Sequence, residues 1–233
     1  MQAQVGVAKV AKYATPESGD SLEMIERPAG GLSFVLVDGQ SSGKAAKAVA
    51  NVVARKAIGL LADGVRDGAA ARAASDYLHT YRSGKVSATL NILSIDLHSH
   101  TLVITRNNPA PVLLIEAGQA RMLCDPSEAV GTRRDIRPQI IEVPLTVGLV
   151  AVVFTDGLVH AGSRTGRQPD WLSELSSLHD SGSADPQQWA DHFLDTALQL
   201  DDGRPTDDVS VVVVMITPHS GDEARRLCLS MPL

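Results

Sequence analysis

Cysteine, aromatic residues, positive charge and long apolar runs are all scarce in this chain, and each scarcity removes a class of protein. Two cysteines, Cys124 and Cys228, stand in 233 residues. They form neither a metal-ligand pattern nor a disulfide framework, and two unpaired thiols suit a reducing cytosol. Aromatics at 3% leave the core to Ala, Val, Leu and Ile and make a base-stacking surface hard to assemble. Lys and Arg number 21 against 27 Asp and Glu, for a net charge of -6, so nucleic acid and anionic lipid are repelled on average. No stretch approaches the roughly 20 apolar residues of a membrane span. Lys9 and Lys12 also interrupt the N-terminal segment that a signal peptide would need apolar. The expectation is a cytoplasmic protein that engages neither nucleic acid nor membrane. No linker rich in Pro, Gly and Ser divides the chain, which reads as one domain over 1–217 and a tail, 218–233, of unassigned role.

What is present is a 44% apolar share, enough for a sizeable core. Small and apolar residues over 5–10 read as a strand, broken by Thr15-Pro16 and Gly19. Residues 21–26 and 32–37 read as a hairpin around a turn at 28–31. After Gly43, apolar positions from Ala46 to Leu61 recur at helical spacing, with Lys44, Lys47, Arg55 and Lys56 mostly on the solvated side. A second helix over 67–82 points Ala70, Ala74, Tyr77 and Leu78 inward. The period changes to two from Ser87, and the runs 87–97, 98–108, 109–118 and 119–125 read as an antiparallel meander, with His98 and His100 in a solvated turn. Strands follow at 139–143 and 150–154, then a helix at 171–178. Another helix is N-capped by Asp185, with Pro186 in its first turn and Trp189, Phe193, Leu194 and Leu198 buried. A buried strand at 209–216 comes last.

Four acids stand at junctions between these strands and loops: Asp20, Asp38, Asp156 and Asp207. Asp38-Gly39 and Asp156-Gly157 each end an apolar strand, and Asp207-Asp208 opens one. Singly, such acids are usually turn residues or caps. Together they would repel one another unless divalent cations screened them. A donor set of oxygens alone favours Mg²⁺ or Mn²⁺ over zinc, and two such ions can bind a phosphate and activate water. One rival reads the stretch LSFVLVDGQSSGKAAK as a phosphate-binding loop closed by Lys44. Its spacing is wrong, because Gly39 and Gly43 enclose three residues rather than four and Ala45 follows the lysine. Another rival is a module whose acids hold a structural ion, or none, and which turns nothing over.

VDGQSSGKAA with Gly19-Asp20 before it, then FTDGLVHA, then TDDVSVVVV resemble, in order, the motifs of the type-2C superfamily of metal-dependent serine/threonine phosphatases. The SpoIIE-like branch is the most similar, and ATLNILSIDL with LVITRNNPAPVLLI resembles its central strands, so the likeness spans roughly 5–216. It implies an α+β fold, a four-layer αββα sandwich of two antiparallel sheets flanked by helix pairs. It also implies that Asp38 bridges two Mn²⁺ or Mg²⁺ ions, that the Gly39 carbonyl completes one site, and that Asp156 and Asp207 hold the other. Asp20 matches an upstream acid that acts on a metal directly or through its water. The implied reaction is hydrolysis of phosphoserine or phosphothreonine by metal-activated water. Gln40 departs from the His of many relatives, Ser41-Ser42 from a Gly-His, and Arg106-Asn107-Asn108 from an Ala-Gly-His. With no sensor domain expected beside the catalytic one, the resemblance is to stressosome phosphatases of the RsbX type, which implies phosphorylated STAS-domain stressosome proteins as partners.

Overall fold

The computed structural model describes residues 1–219 and 221–231. Strands β1 (Gln2–Val10), β2 (Ser21–Glu26) and β3 (Gly31–Gly39) lead into helices α1 (Gly43–Ala62) and α2 (Asp67–Arg82). Strands β4 (Ala88–Asp96), β5 (Thr101–Asn107), β6 (Val112–Glu116), β7 (Gln119–Leu123), β8 (Gln139–Pro144) and β9 (Val150–Phe154) follow. Helices α3 (Asp156–His160), α4 (Trp171–Asp180) and α5 (Pro186–Leu200) precede the last strand, β10 (Val209–Thr217).

The strands make two antiparallel five-stranded sheets, ordered β1-β10-β9-β6-β7 and β2-β3-β4-β5-β8. Alternation along β3 shows how four layers arise. Phe34 and Leu36 face the opposite sheet, among Leu93, Ile104, Val153 and Val212. Val35 and Val37 face α1 and α2, among Val53, Leu61, Ala74 and Leu78. On the far side, Trp171, Trp189 and Phe193 of α4 and α5 cover Val152, Val211 and Val213. With both faces of each sheet buried, the central strands read as continuous apolar runs instead of alternating ones. The expected αββα sandwich is the observed one.

Several details differ from the sequence reading. On α5, Leu194 and Leu198 are only half-buried, with Ala190 and Ala197 buried beside Trp189 and Phe193. The run 87–125 is not one meander: β4 and β5 belong to one sheet, β6 and β7 to the other, and the chain crosses between sheets after Asn107. Tyr77 faces solvent at 46% exposure, where it stacks on Tyr81, and Ala71 is buried instead. Lys47 is not a solvated helix residue, as its contacts below show. Among the described residues no helix is long and apolar enough to cross a membrane, and both cysteines are free and exposed.

Candidate metal centre and active site

Strand register brings the first two acids together. Ser21 pairs with Val37, so Asp20 enters β2 alongside the end of β3 that carries Asp38, and Asp38 faces Thr89 on β4. The other sheet contributes from the same end. Asp156 opens α3 where β9 stops, and Asp207 stands two residues before β10. Asp38, Gly39, Gln40, Asp156 and Asp207 line one cleft of about 230 Å³, with Ser87 and Ala129 on its wall.

Two glycines are needed for this convergence. A Cβ on Gly39 would lie 2.1 Å from the Ala46 carbonyl oxygen of α1, and one on Gly157 would lie 2.1 Å from the Asp208 carbonyl oxygen. Only a residue without a side chain lets the backbones approach so closely.

Asp20 is fully buried. Its Oδ2 accepts hydrogen bonds from Ser210 Oγ at 2.6 Å and Thr155 Oγ1 at 3.0 Å, while its Oδ1 is buried with no hydrogen-bond partner among the described residues. Its backbone carbonyl accepts from two ammonium groups, Lys9 Nζ and Lys47 Nζ, each at 2.5 Å. Asp208 clips the approach to Asp20, with Oδ1 on the Lys12 N–H at 2.9 Å and Oδ2 on the Gly19 N–H at 2.8 Å.

Crowding sets the electrostatics. Burial, then the carboxylates of Asp20, Asp156 and Asp207, push Asp38 up to about 9. Burial raises Asp20 to about 6 against the opposing effects of Ser210 and Lys9. Burial and Asp207 also raise Asp156. Burial, with Lys47 next, pulls Lys9 down to about 8.

These residues fit hard divalent cations in donor chemistry: carboxylate oxygens crowded against their own charge, one of them buried without a partner. Among the described residues, no three Asp, Glu, His or Cys side chains are gathered tightly enough to hold an ion by themselves. Mg²⁺ needs no such cage, since it keeps several waters and takes one or two carboxylates.

The structure brings Asp20, Asp38, Gly39, Asp156 and Asp207 to one end of the sandwich. Sequence reasoning missed their supports. Ser210 had left a signal, a hydroxyl inside the valine run of β10 that had to find a partner. Thr155, Lys9 and Lys47 had left none, because their roles depend on contacts across both sheets. Gln40 braces the cleft wall, its Oε1 accepting from the Ser87 N–H at 2.9 Å and its own N–H donating to the Ser87 carbonyl at 3.0 Å. Asn108 donates to the Phe154 carbonyl at 3.2 Å, tying its loop to the strand that leads into Asp156.

Comparison with known proteins adds the following. Residues 28–217 match the family model of Stage II sporulation protein E, SpoIIE. The SpoIIE protein of Bacillus subtilis (strain 168) is 22% identical over 211 residues, 91% of this chain and 25% of that protein. The chain therefore spans about a quarter of that relative. A structure of the PP2C phosphatase domain of Bacillus subtilis SpoIIE, with a fragment of its regulatory domain, superposes with a TM-score of 0.81 at 22% identity, over 93% of this chain and 64% of that one. RsbX in complex with magnesium gives 0.70 at 16% identity, over 92% and 96%. The catalytic domain of the serine/threonine phosphatase PstP with two manganese ions gives 0.67 at 16%, over 93% and 99%. At these identities the structures establish a shared PP2C-type fold.

Proposed function

The chain belongs to the SpoIIE family and has a PP2C-type phosphatase fold, and from that premise we propose that it is a Mn²⁺- or Mg²⁺-dependent protein serine/threonine phosphatase. The observation that carries the proposal is the convergence of Asp38, Asp156 and Asp207 on one cleft with Asp20 buried behind it. Asp38 would bridge two ions, the Gly39 carbonyl completing one site and Asp156 and Asp207 holding the second. Bound there, the ions would supply positive charge to the phosphate and activate water for attack on phosphorus.

The chain's own residues prepare that site. Asp20 is oriented by Ser210 and Thr155, and its Oδ1, without a hydrogen-bond partner among the described residues, would face the cations or their waters. Lys9 and Lys47 set positive charge against the acid cluster through the Asp20 carbonyl. Gln40 braces the wall and, as an amide, has no acidic proton for the leaving group. The cleft is open and falls below the roughly 300–1,000 Å³ of sites that enclose whole small molecules. That size supports the phosphorylated side chain of a protein as substrate.

The structural similarity to RsbX and to a structure described under the bacterial stressosome supports phosphorylated STAS-domain proteins as partners, and the free exposed thiols support a cytoplasmic setting. A phosphate-binding-loop hydrolase is disfavoured, because such a loop joins a strand and helix of a parallel βαβ unit and β3 lies in an antiparallel sheet. The test is phosphate release from a phosphoserine peptide and from p-nitrophenyl phosphate. Release that requires Mn²⁺ or Mg²⁺ and stops with EDTA supports the phosphatase. No release from either with excess Mn²⁺ leaves a metal-binding module without turnover.

A further inference from the structure

Arg106 and Asn107 depart from the small residues of many relatives, and their contacts give them a task. The guanidinium of Arg106, 1% exposed, donates to the carbonyls of Ala110 and Asp125, and its own carbonyl accepts from Ser127 Oγ at 2.8 Å. Asn107 Nδ2 donates to the Glu128 carbonyl at 3.1 Å. Both residues therefore grip the start of the loop 124–138, which joins β7 to β8.

The rest of that loop is gripped as well. Ala88 and Val130 exchange backbone hydrogen bonds at 3.1 and 2.8 Å. The Gly131 N–H donates to Ser75 of α2 at 3.2 Å, and Ile136 is buried in the core beneath α1 and α2. A long loop held at this many points is a built surface. Ala129 of this loop lines the catalytic cleft, and the adjoining residues line a wider concavity of about 570 Å³ that includes Arg133, Arg134 and Arg137.

All three arginines are exposed. Arg133 pairs with Glu128 of the same loop. Arg134 and Arg137 form no ion pair among the described residues. The concavity also holds Glu128, paired with Arg133, and the exposed Asp135, so its three arginines outnumber its two carboxylates, a net positive patch in a chain of net charge -6. Planar guanidinium groups match carboxylates in paired geometry.

We propose that the loop 124–138, anchored by Arg106 and Asn107, receives the part of the phosphoprotein that flanks the phosphorylated residue, and that Arg134 and Arg137 select acidic residues there. This rests on the phosphatase reading for the phosphate and on charge complementarity for the flank. Away from the metal site, an acidic segment would without the arginines meet the average repulsion of a negatively charged chain.

The test compares wild type with an Arg134→Glu/Arg137→Glu double variant on two phosphoserine peptides, one flanked by Asp and Glu and one by Ala and Ser. Fluorescence anisotropy reads peptide binding, and kcat and KM are measured for the peptides and for p-nitrophenyl phosphate. Reversing two exposed charges should weaken binding of the acidic peptide about tenfold, expressed in KM. Binding of the neutral peptide and turnover of the aryl phosphate should stay within about twofold, and an Arg134→Lys/Arg137→Lys variant, which keeps the charge but not the paired geometry, should bind the acidic peptide between wild type and the double Glu variant. Equal binding of the two peptides by wild type, or equal loss of both in the double variant, would overturn the proposal. Failure of the phosphatase reading would show separately, as absent aryl phosphate turnover, while the binding measurement still decides the role of the loop.

Discussion

Ser210 donates its hydroxyl to Oδ2 of Asp20 at 2.6 Å, a contact between β10 of one sheet and the residue that leads into β2 of the other. The same oxygen accepts from Thr155 at 3.0 Å, so the two sheets are joined at the site through one buried carboxylate. Ser210→Ala removes a hydrogen bond to a charged group, a loss of about 1.5–3 kcal/mol, which lowers Tm by roughly 3–12 °C in a chain of this size. Without that donor Asp20 also ionises at higher pH, so the acid limb of the kcat profile moves upward. Thermal melts and a pH–rate profile check both outcomes, and Thr155→Val should act in the same direction.

Asp38→Asn separates the site from the fold. With metals chelated, burial and neighbouring carboxylates hold the folded Asp38 protonated up to about 9, whereas the unfolded carboxyl ionises near 4. The folded chain then binds more protons over that interval, and stability falls as pH rises through it. The variant lacks that slope. In EDTA at pH 8 its Tm should exceed that of wild type by about 3 °C or more. Addition of Mn²⁺ should then raise the wild-type Tm and leave the variant unchanged, with nearly all turnover lost in the variant.

Much of the fold was legible because its punctuation is local. The bounds of β2, α2 and β9 are those read from Pro, Gly and Asp breaks and from periodicity, and Asp185 caps α5 as expected, accepting from the Gln187 N–H at 2.9 Å. The division of 87–125 between two sheets was not legible, since alternation identifies a strand but not its partner strands. Tyr77 shows the same limit on a helix, because an aromatic at the edge of the apolar stripe can stack outward on Tyr81 as it does here. For the site, the four acids carried a signal through their positions. The inward turn of Lys47 carried none, because its target is a backbone carbonyl brought near by another strand.

Gly39→Ala tests how tightly α1 is seated against the site. The added methyl meets the Ala46 backbone at 2.1 Å, and backbone cannot rotate away as a side chain can. Overpacking of this kind costs about 1–3 kcal/mol or more, so Tm should fall by roughly 2–12 °C and Mn²⁺ affinity should drop with it. Differential scanning fluorimetry with and without Mn²⁺ reads both.

Two lysines three residues apart should behave oppositely. Lys44 is exposed at the start of α1, and Lys44→Ala should leave metal-dependent turnover within about twofold; a collapse would revive the phosphate-loop reading. Lys47→Met removes the ammonium held 2.5 Å from the Asp20 carbonyl. It should lower kcat about tenfold with little change in KM, the signature of a group acting after substrate binds. Steady-state kinetics on p-nitrophenyl phosphate distinguishes the two.

Anomalous diffraction from crystals soaked in Mn²⁺ tests the central claim most directly. The account predicts two manganese peaks at the cleft, both within about 2.5 Å of Asp38 carboxylate oxygens, one also near the Gly39 carbonyl and the other near Asp156 and Asp207. Manganese bound elsewhere on the chain, with no peak beside Asp38, would contradict it.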